Sequence, residues 1–116
     1  MGKVMLITAA DRKQLLANGA KTDKKDIRPV IKIFNPYGGA TWLISEMDPE
    51  EPDRLFGLCD LGMGEPELGY VSFNELNTVK VGPGRMLYLE RDRWFTADKS
   101  LAEYAEIARN NSRIVA

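Results

Sequence analysis

The stretch P-V-I-K-I-F-N-P-Y-G-G-A-T-W-L-I-S-E, residues 29–46, decides the fold. Residues 29–34 are rich in β-branched side chains, which favour a strand, and residues 40–46 read as the returning strand. N-P-Y-G-G at residues 35–39 is a typical turn sequence, because proline fixes and glycine permits the dihedral angles of a tight turn. The stretch therefore predicts two antiparallel strands joined by a turn.

Three more segments have strand character, at residues 55–60, 68–71 and 86–90. The first two are separated by G-M-G-E-P at residues 62–66, and the third follows G-P-G at residues 82–84. Short connections between successive strands favour an antiparallel meander, here of about five strands.

Capping signals predict two longer helices and one short helical turn. Thr8 is placed to cap a helix over residues 9–18, with Gly19 at its end. Ser72 precedes a short helical turn, and Ser100 precedes a helix over about residues 101–110. We expect an α+β fold in which the two longer helices cover one face of the sheet.

Size and composition are those of one globular domain over residues 1–116. The fractions of hydrophobic and charged residues, 44% and 28%, are ordinary, and no apolar run approaches the ~20 residues of a membrane span. Residues 1–7 begin like a signal peptide, but charged residues follow at once, so we interpret them as a first strand or the approach to the first helix. With a single cysteine, Cys59, the sequence predicts a cytoplasmic protein.

The sequence contains no histidine. This excludes nucleophilic sites that need an imidazole base, imidazole general-base catalysis and the usual zinc sites. No phosphate-binding glycine motif is present either. We therefore expect no cofactor and no catalytic residue of the common kinds.

Charge is unevenly distributed along the chain. Residues 1–32 carry 8 basic and 3 acidic groups, whereas residues 33–67 carry 1 basic and 8 acidic groups, a net charge of −7. The eight acidic residues are Glu46, Asp48, Glu50, Glu51, Asp53, Asp60, Glu65 and Glu67.

Three interpretations of this acidic block are open. It can consist of solvated loops that protect sheet edges from pairing with other chains. It can be a docking surface for a protein with a basic surface, steered by the field of the carboxylates. It can also hold a hard cation through Asp48, Glu50 and Asp53, although no calcium-loop pattern is present and two prolines interrupt the stretch.

A small basic cluster follows the first predicted helix. Nucleic-acid binding would need such a cluster together with interleaved aromatic residues, which are absent here, and the isoelectric point near 5.5 also disfavours it. The cluster consists of Lys21, Lys24, Lys25 and Arg28.

Three further features are candidates for a chemical or structural role. Cys59 lies beside Asp60 in a predicted strand, where a carboxylate would disfavour the thiolate, so a core cysteine is the favoured interpretation. Asp60 and Glu67 are the carboxylates that a small metal-dependent enzyme would use as a pair across a hairpin. R-D-R-W at residues 91–94 is either an exposed ion-pair group or a structural corner.

The chain resembles a bacterial domain of unknown function, DUF family 2958. The stretches that carry the resemblance are L-I-T at 6–8, L-L-A-N at 15–18, P-V-I-K-I-F-N-P at 29–36, T-W at 41–42, F-G-L-C-D at 56–60, E-L-G-Y-V-S at 67–72 and R-D-R-W-F at 91–95. The resemblance covers about residues 5–95, and the helix after Ser100 lies beyond it. It implies a protein of plasmids, phages and conjugative elements, often encoded near antirestriction genes, and it supplies no catalytic residues.

These observations favour a non-catalytic protein-binding module of a mobile genetic element or phage. Its acidic surface would contact a host protein or complex, and an anti-defence inhibitor, of CRISPR or restriction systems, is the form that we expect. A small carboxylate- and metal-dependent enzyme and a structural subunit are the alternatives.

Overall fold

A computed structural model describes residues 5–116, so part of the segment expected to approach the first helix lies outside the described residues. Four strands follow one another along the chain, as the turn sequences predict. They are β1 (Ile31–Phe34), β2 (Thr41–Met47), β3 (Arg54–Asp60) and β4 (Glu67–Ser72).

Two long helices and one short helix accompany these strands. The long helices are α1 (Ala9–Ala20) and α3 (Leu101–Asn111), and the short one is α2 (Phe73–Thr78). The other elements are β5 (Lys80–Val81), a 3-10 turn (Pro83–Arg85), β6 (Leu87–Tyr88) and β7 (Glu90–Arg91).

The α+β fold is confirmed. The main sheet has five antiparallel strands in the order β4-β3-β2-β1-β7, and β5 pairs with β6 in a separate two-stranded sheet. The single strand expected at residues 86–90 is divided between the two sheets. Leu89 separates the two parts and is buried in the core, so the chain changes its pairing partner at this residue.

All three predicted N-cap residues, Thr8, Ser72 and Ser100, accept a hydrogen bond from the backbone N–H three residues later, and the bond is reciprocal at Thr8 and Ser100. Thr8 and Asp11 exchange hydrogen bonds at the start of α1, and Ser100 and Glu103 do the same at the start of α3. Gly19 was expected to end α1, but it lies inside the helix. A Cβ atom at this position would lie 2.1 Å from the carbonyl oxygen of Met47, so the glycine permits close packing of α1 on β2.

The two long helices cover opposite faces of the sheet, which corrects the expectation that they share one. Leu15 of α1 packs in one hydrophobic cluster with Ile44, whereas Leu101 and Ala105 of α3 pack in another with Leu43. Neighbouring residues of a strand point to opposite faces, so β2 is buried on both sides. No helix within residues 5–116 has the length and apolar character needed to cross a membrane.

Candidate functional site

The sheet ends at β4, which pairs with β3 on one side only. The backbone N–H of Phe73 donates to the carbonyl oxygen of Asp53 at 2.7 Å, directly after the pair Arg54↔Ser72. Hydrogen-bonded and non-hydrogen-bonded pairs alternate along antiparallel strands, so residues 67, 69 and 71 direct their backbone groups towards β3. The backbone N–H and C=O groups of Leu68 and Tyr70 therefore face the free edge.

Two hydrogen bonds on the other side of β3 support this assignment. The carbonyl oxygen of Arg54 accepts from the N–H of Asp48 at 3.0 Å, and that of Phe56 accepts from the Ser45 hydroxyl at 3.3 Å. Residues 54 and 56 thus direct their carbonyl groups towards β2, which leaves the odd-numbered residues of β3 to pair with β4.

The side chains of Leu68 and Tyr70 lie beside the free edge, on the sheet face that α3 covers. They are 42% and 60% exposed, and the Tyr70 ring packs edge-on against Phe56 with the ring centres 5.0 Å apart. The guanidinium of Arg54 lies 3.9 Å from the centre of the same ring, which holds the tyrosine in place. A groove of about 300 Å³ opens here, and we call it the edge groove. Its apolar lining residues are Ile27, Phe56, Leu68, Tyr70, Leu101 and Ala102, and Lys24, Ser45 and Glu46 complete the lining.

Four of the predicted acidic residues lie in the connection between β2 and β3, at one end of β4. We call residues 48–53 the acidic connection. Asp53 accepts hydrogen bonds from the Ser72 hydroxyl and the Asn74 N–H, both at 2.7 Å, and the bond from Ser72 is the main cause of its lowered pKa. Glu50 and Glu51 are exposed and form no ion pair with any residue from 5 to 116.

The other four acidic residues do not form one surface with the connection. Glu65 and Glu67 are exposed at the opposite end of β4, where the chain enters the strand. Glu46 is buried and paired with Lys24 at 2.5 Å. Asp60 is only 2% exposed, and its two oxygens accept backbone hydrogen bonds from Gly62 and Ile114. The exposed carboxylates therefore flank β4 at both ends, while two of the eight predicted residues are structural.

The carboxylate pair of the enzyme alternative is not brought together. Glu67 lies opposite Cys59 in the β3–β4 register, so the two side chains share a face. Asp60 follows Cys59 directly and points to the other face. Among residues 5–116, no group of three or more aspartate, glutamate or cysteine side chains is placed to hold a metal ion.

Cys59 is half-buried and packs against the hydrophobic cluster that contains Leu15 and Ile44. Burial raises the pKa of its thiol to about 11. The sequence-based expectation of an unreactive cysteine rested on the neighbouring carboxylate, whereas the structure attributes the effect to desolvation.

The basic cluster and the R-D-R-W segment have structural roles in part. Lys24 of the basic cluster forms an ion pair with Glu46 of the acidic block. Neither charge is therefore available to a partner. Arg91 forms an ion pair with Asp11 and donates to the carbonyl oxygen of Leu6 at 3.2 Å, which ties β7 to the start of α1. Arg91 therefore acts as part of a structural corner, which is one of the two interpretations of R-D-R-W that the sequence left open.

Sequence reasoning missed Leu68 and Tyr70 as functional candidates, because it assigned both residues only to the strand at 68–71. Their spacing of two residues was the available signal, since it places both on one face of β4. Nothing local in the sequence indicates that β4 is an edge strand, because this depends on the order of the whole sheet.

The family model DUF2958, described as a protein of unknown function, matches residues 6–115. The match includes α3, which lies beyond the stretches that carried the resemblance, so this helix is part of the family domain. Comparisons with curated proteins and with solved structures gave no match.

Proposed function

The chain belongs to the DUF2958 family of proteins of unknown function, and we propose that it is a non-catalytic protein-binding module. Its partner is a protein or protein complex with a basic surface. The contact surface is the β4 side of the molecule, with the edge groove at the centre and exposed carboxylates around it.

The observation that carries this proposal is the position of Leu68 and Tyr70 between two groups of acidic residues. Glu50 and Glu51 lie towards one end of β4, and Glu67 lies at the other. Apolar and aromatic side chains at the centre with a charged rim are the usual anatomy of a protein interface. The carboxylates at the rim would select a basic partner and accelerate its association.

The biological setting that we propose is a mobile genetic element or phage acting in the cytoplasm of a bacterial host. The module would bind a host defence or nucleic-acid-processing complex and inhibit it, as an anti-CRISPR or antirestriction protein does. Its carboxylates would compete with nucleic-acid phosphates for basic residues on that complex. The uncovered carboxylates of the acidic connection support this mode of inhibition.

Affinity capture from a bacterial host lysate, followed by identification of the bound protein, tests the proposal. Capture with the wild-type chain is compared with that by Glu51→Lys and by the matched control Glu90→Lys, which reverses another exposed charge, on β7. The proposed partner surface is basic, so lysines at both positions would repel it. Glu51→Lys combined with Glu50→Lys should therefore lower capture by about tenfold or more. Capture that survives both reversals, or that Glu90→Lys lowers equally, would overturn the proposal.

A further inference from the structure

We infer that β4 receives an extended segment of the partner as a sixth strand of the main sheet. This inference rests on the proposed function and specifies its mode of binding. The segment would have apolar side chains at alternating positions and Lys or Arg residues at both ends.

The backbone of β4 provides the template for such pairing. The outward-facing N–H and C=O groups of Leu68 and Tyr70 have no strand beside them among residues 5–116. Strand addition satisfies these groups through main-chain hydrogen bonds, which provide affinity without requiring a particular sequence. β4 has six residues, so an added strand of similar length spans about 20 Å.

The edge groove provides side-chain selectivity. Side chains on one face of the added strand would lie beside Leu68 and Tyr70, at the spacing of cross-strand neighbours. The groove continues past these residues to Leu101 and Ala102 at the start of α3, which form its opposite wall. Every second residue of the segment is therefore apolar, while the residues between face the other side of the sheet.

Charge identifies the ends of the segment and favours a basic partner over a second copy of this chain. Antiparallel pairing of two β4 strands about a twofold axis would place Glu67 of each copy near the acidic connection of the other, and these like charges repel. A segment with basic residues at both ends meets carboxylates at both ends, in either direction of binding.

β4 lacks three of the features with which sheet edges are usually protected, namely short length, lysine and proline, and Glu67 at its first residue is its one charged side chain. Natural edge strands are short, or carry lysine or proline that prevents pairing with other chains. β7, at the opposite edge, has two residues. β4 is three times as long and contains neither lysine nor proline, and Gly69 at its centre leaves open space on the other sheet face.

The test uses the synthetic peptide Lys-Lys-Val-Thr-Val-Thr-Val-Lys-Lys and its counterpart with glutamate in place of every lysine. Binding to the full chain is measured by titration, and amide hydrogen exchange is followed residue by residue. The lysine peptide should bind at least about tenfold more tightly than the glutamate peptide. It should slow exchange at the amides of Leu68 and Tyr70, while Gly69 and Val71 change little because they already pair with β3.

Leu68→Pro and Leu68→Ala separate the backbone contribution from that of the side chain. Both variants lose the leucine side chain, but only proline removes the outward N–H, and proline is tolerated where an edge strand faces solvent. Leu68→Pro should weaken the lysine peptide at least about tenfold relative to Leu68→Ala, with native amide spectra in both. Equal binding by the two variants, binding without protection at residues 68 and 70, or no binding at millimolar peptide would overturn strand addition.

Partner capture by the same variants distinguishes the two proposals. Capture that is lost on reversal of Glu50 and Glu51 but kept by Leu68→Pro would contradict strand addition alone. Capture that is insensitive to all of these changes would contradict the protein-binding proposal itself.

Discussion

The carboxylate of Asp60 accepts a hydrogen bond from the backbone N–H of Ile114 at 3.0 Å, which joins the end of β3 to the segment after α3. The other carboxylate oxygen accepts from the N–H of Gly62 at 2.8 Å, in the turn between β3 and β4. One buried acidic side chain thus holds together two segments that are distant in sequence, and it does so on the sheet face that carries the edge groove.

Replacing Asp60 by alanine should lower the free energy of unfolding by about 1–3 kcal/mol, because the buried N–H of Ile114 loses its acceptor. Urea denaturation checks this, with Glu67→Ala as the control. Since Glu67 is exposed, its replacement should change the free energy of unfolding by no more than about 0.5 kcal/mol. Equal effects of the two substitutions would contradict a stabilising role for the bond between Asp60 and Ile114.

The ion pair between Asp11 and Arg91 should make stability depend on pH in the acidic range. Burial raises the pKa of Asp11, but hydrogen bonds from Arg91 and Thr8 outweigh it, so the pKa lies below its ordinary value of 3.8. Because the pKa of Asp11 is lower in the folded protein, its carboxylate stabilises the fold at pH values above 3.8. This contribution is lost as the pH falls through the lower pKa of the folded state.

Thermal unfolding between pH 2 and pH 7 tests this dependence. Asp11→Asn should lower the midpoint most at neutral pH and little at the acidic end, where the wild-type carboxyl is itself protonated. A difference between the variant and the wild type that stays constant across this range would contradict the assignment.

Cys59 should react slowly with thiol reagents in the folded protein. Its pKa is raised from 9.0 to about 11, so at pH 8 the thiolate population is roughly 100-fold below that of an ordinary cysteine. The rate of reaction with a chromogenic disulfide, measured with and without denaturing urea, checks this. Rapid labelling of the folded chain, as fast as in urea, would show that the thiol is neither buried nor raised in pKa.

The features that sequence predicted well are those with local causes. N-P-Y-G-G at residues 35–39 encodes its turn in consecutive residues, and Thr8 and Ser100 reach their capping partners three residues away. Such signals lie within one turn of chain, so they can be read without knowing the tertiary structure.

The features that sequence missed have distant causes. Asp60 is indistinguishable from a surface carboxylate until the N–H of Ile114, 54 residues further along, is brought to it. The placement of α1 and α3 on opposite faces depends on how β2 is covered, and the division of residues 86–90 depends on which strands are already adjacent. Leu68 and Tyr70 become a candidate site only when β4 is known to end the sheet.

Residue-resolved amide hydrogen exchange of the free protein tests the central claim, that β4 offers an unpaired backbone edge to a partner. The amides of Leu68 and Tyr70 should exchange at rates close to those of an unstructured chain, whereas those of Gly69 and Val71 should be strongly protected by their bonds to β3. Equal protection of all four amides, or protection of Leu68 and Tyr70 alone, would contradict the free edge and the binding mode built on it.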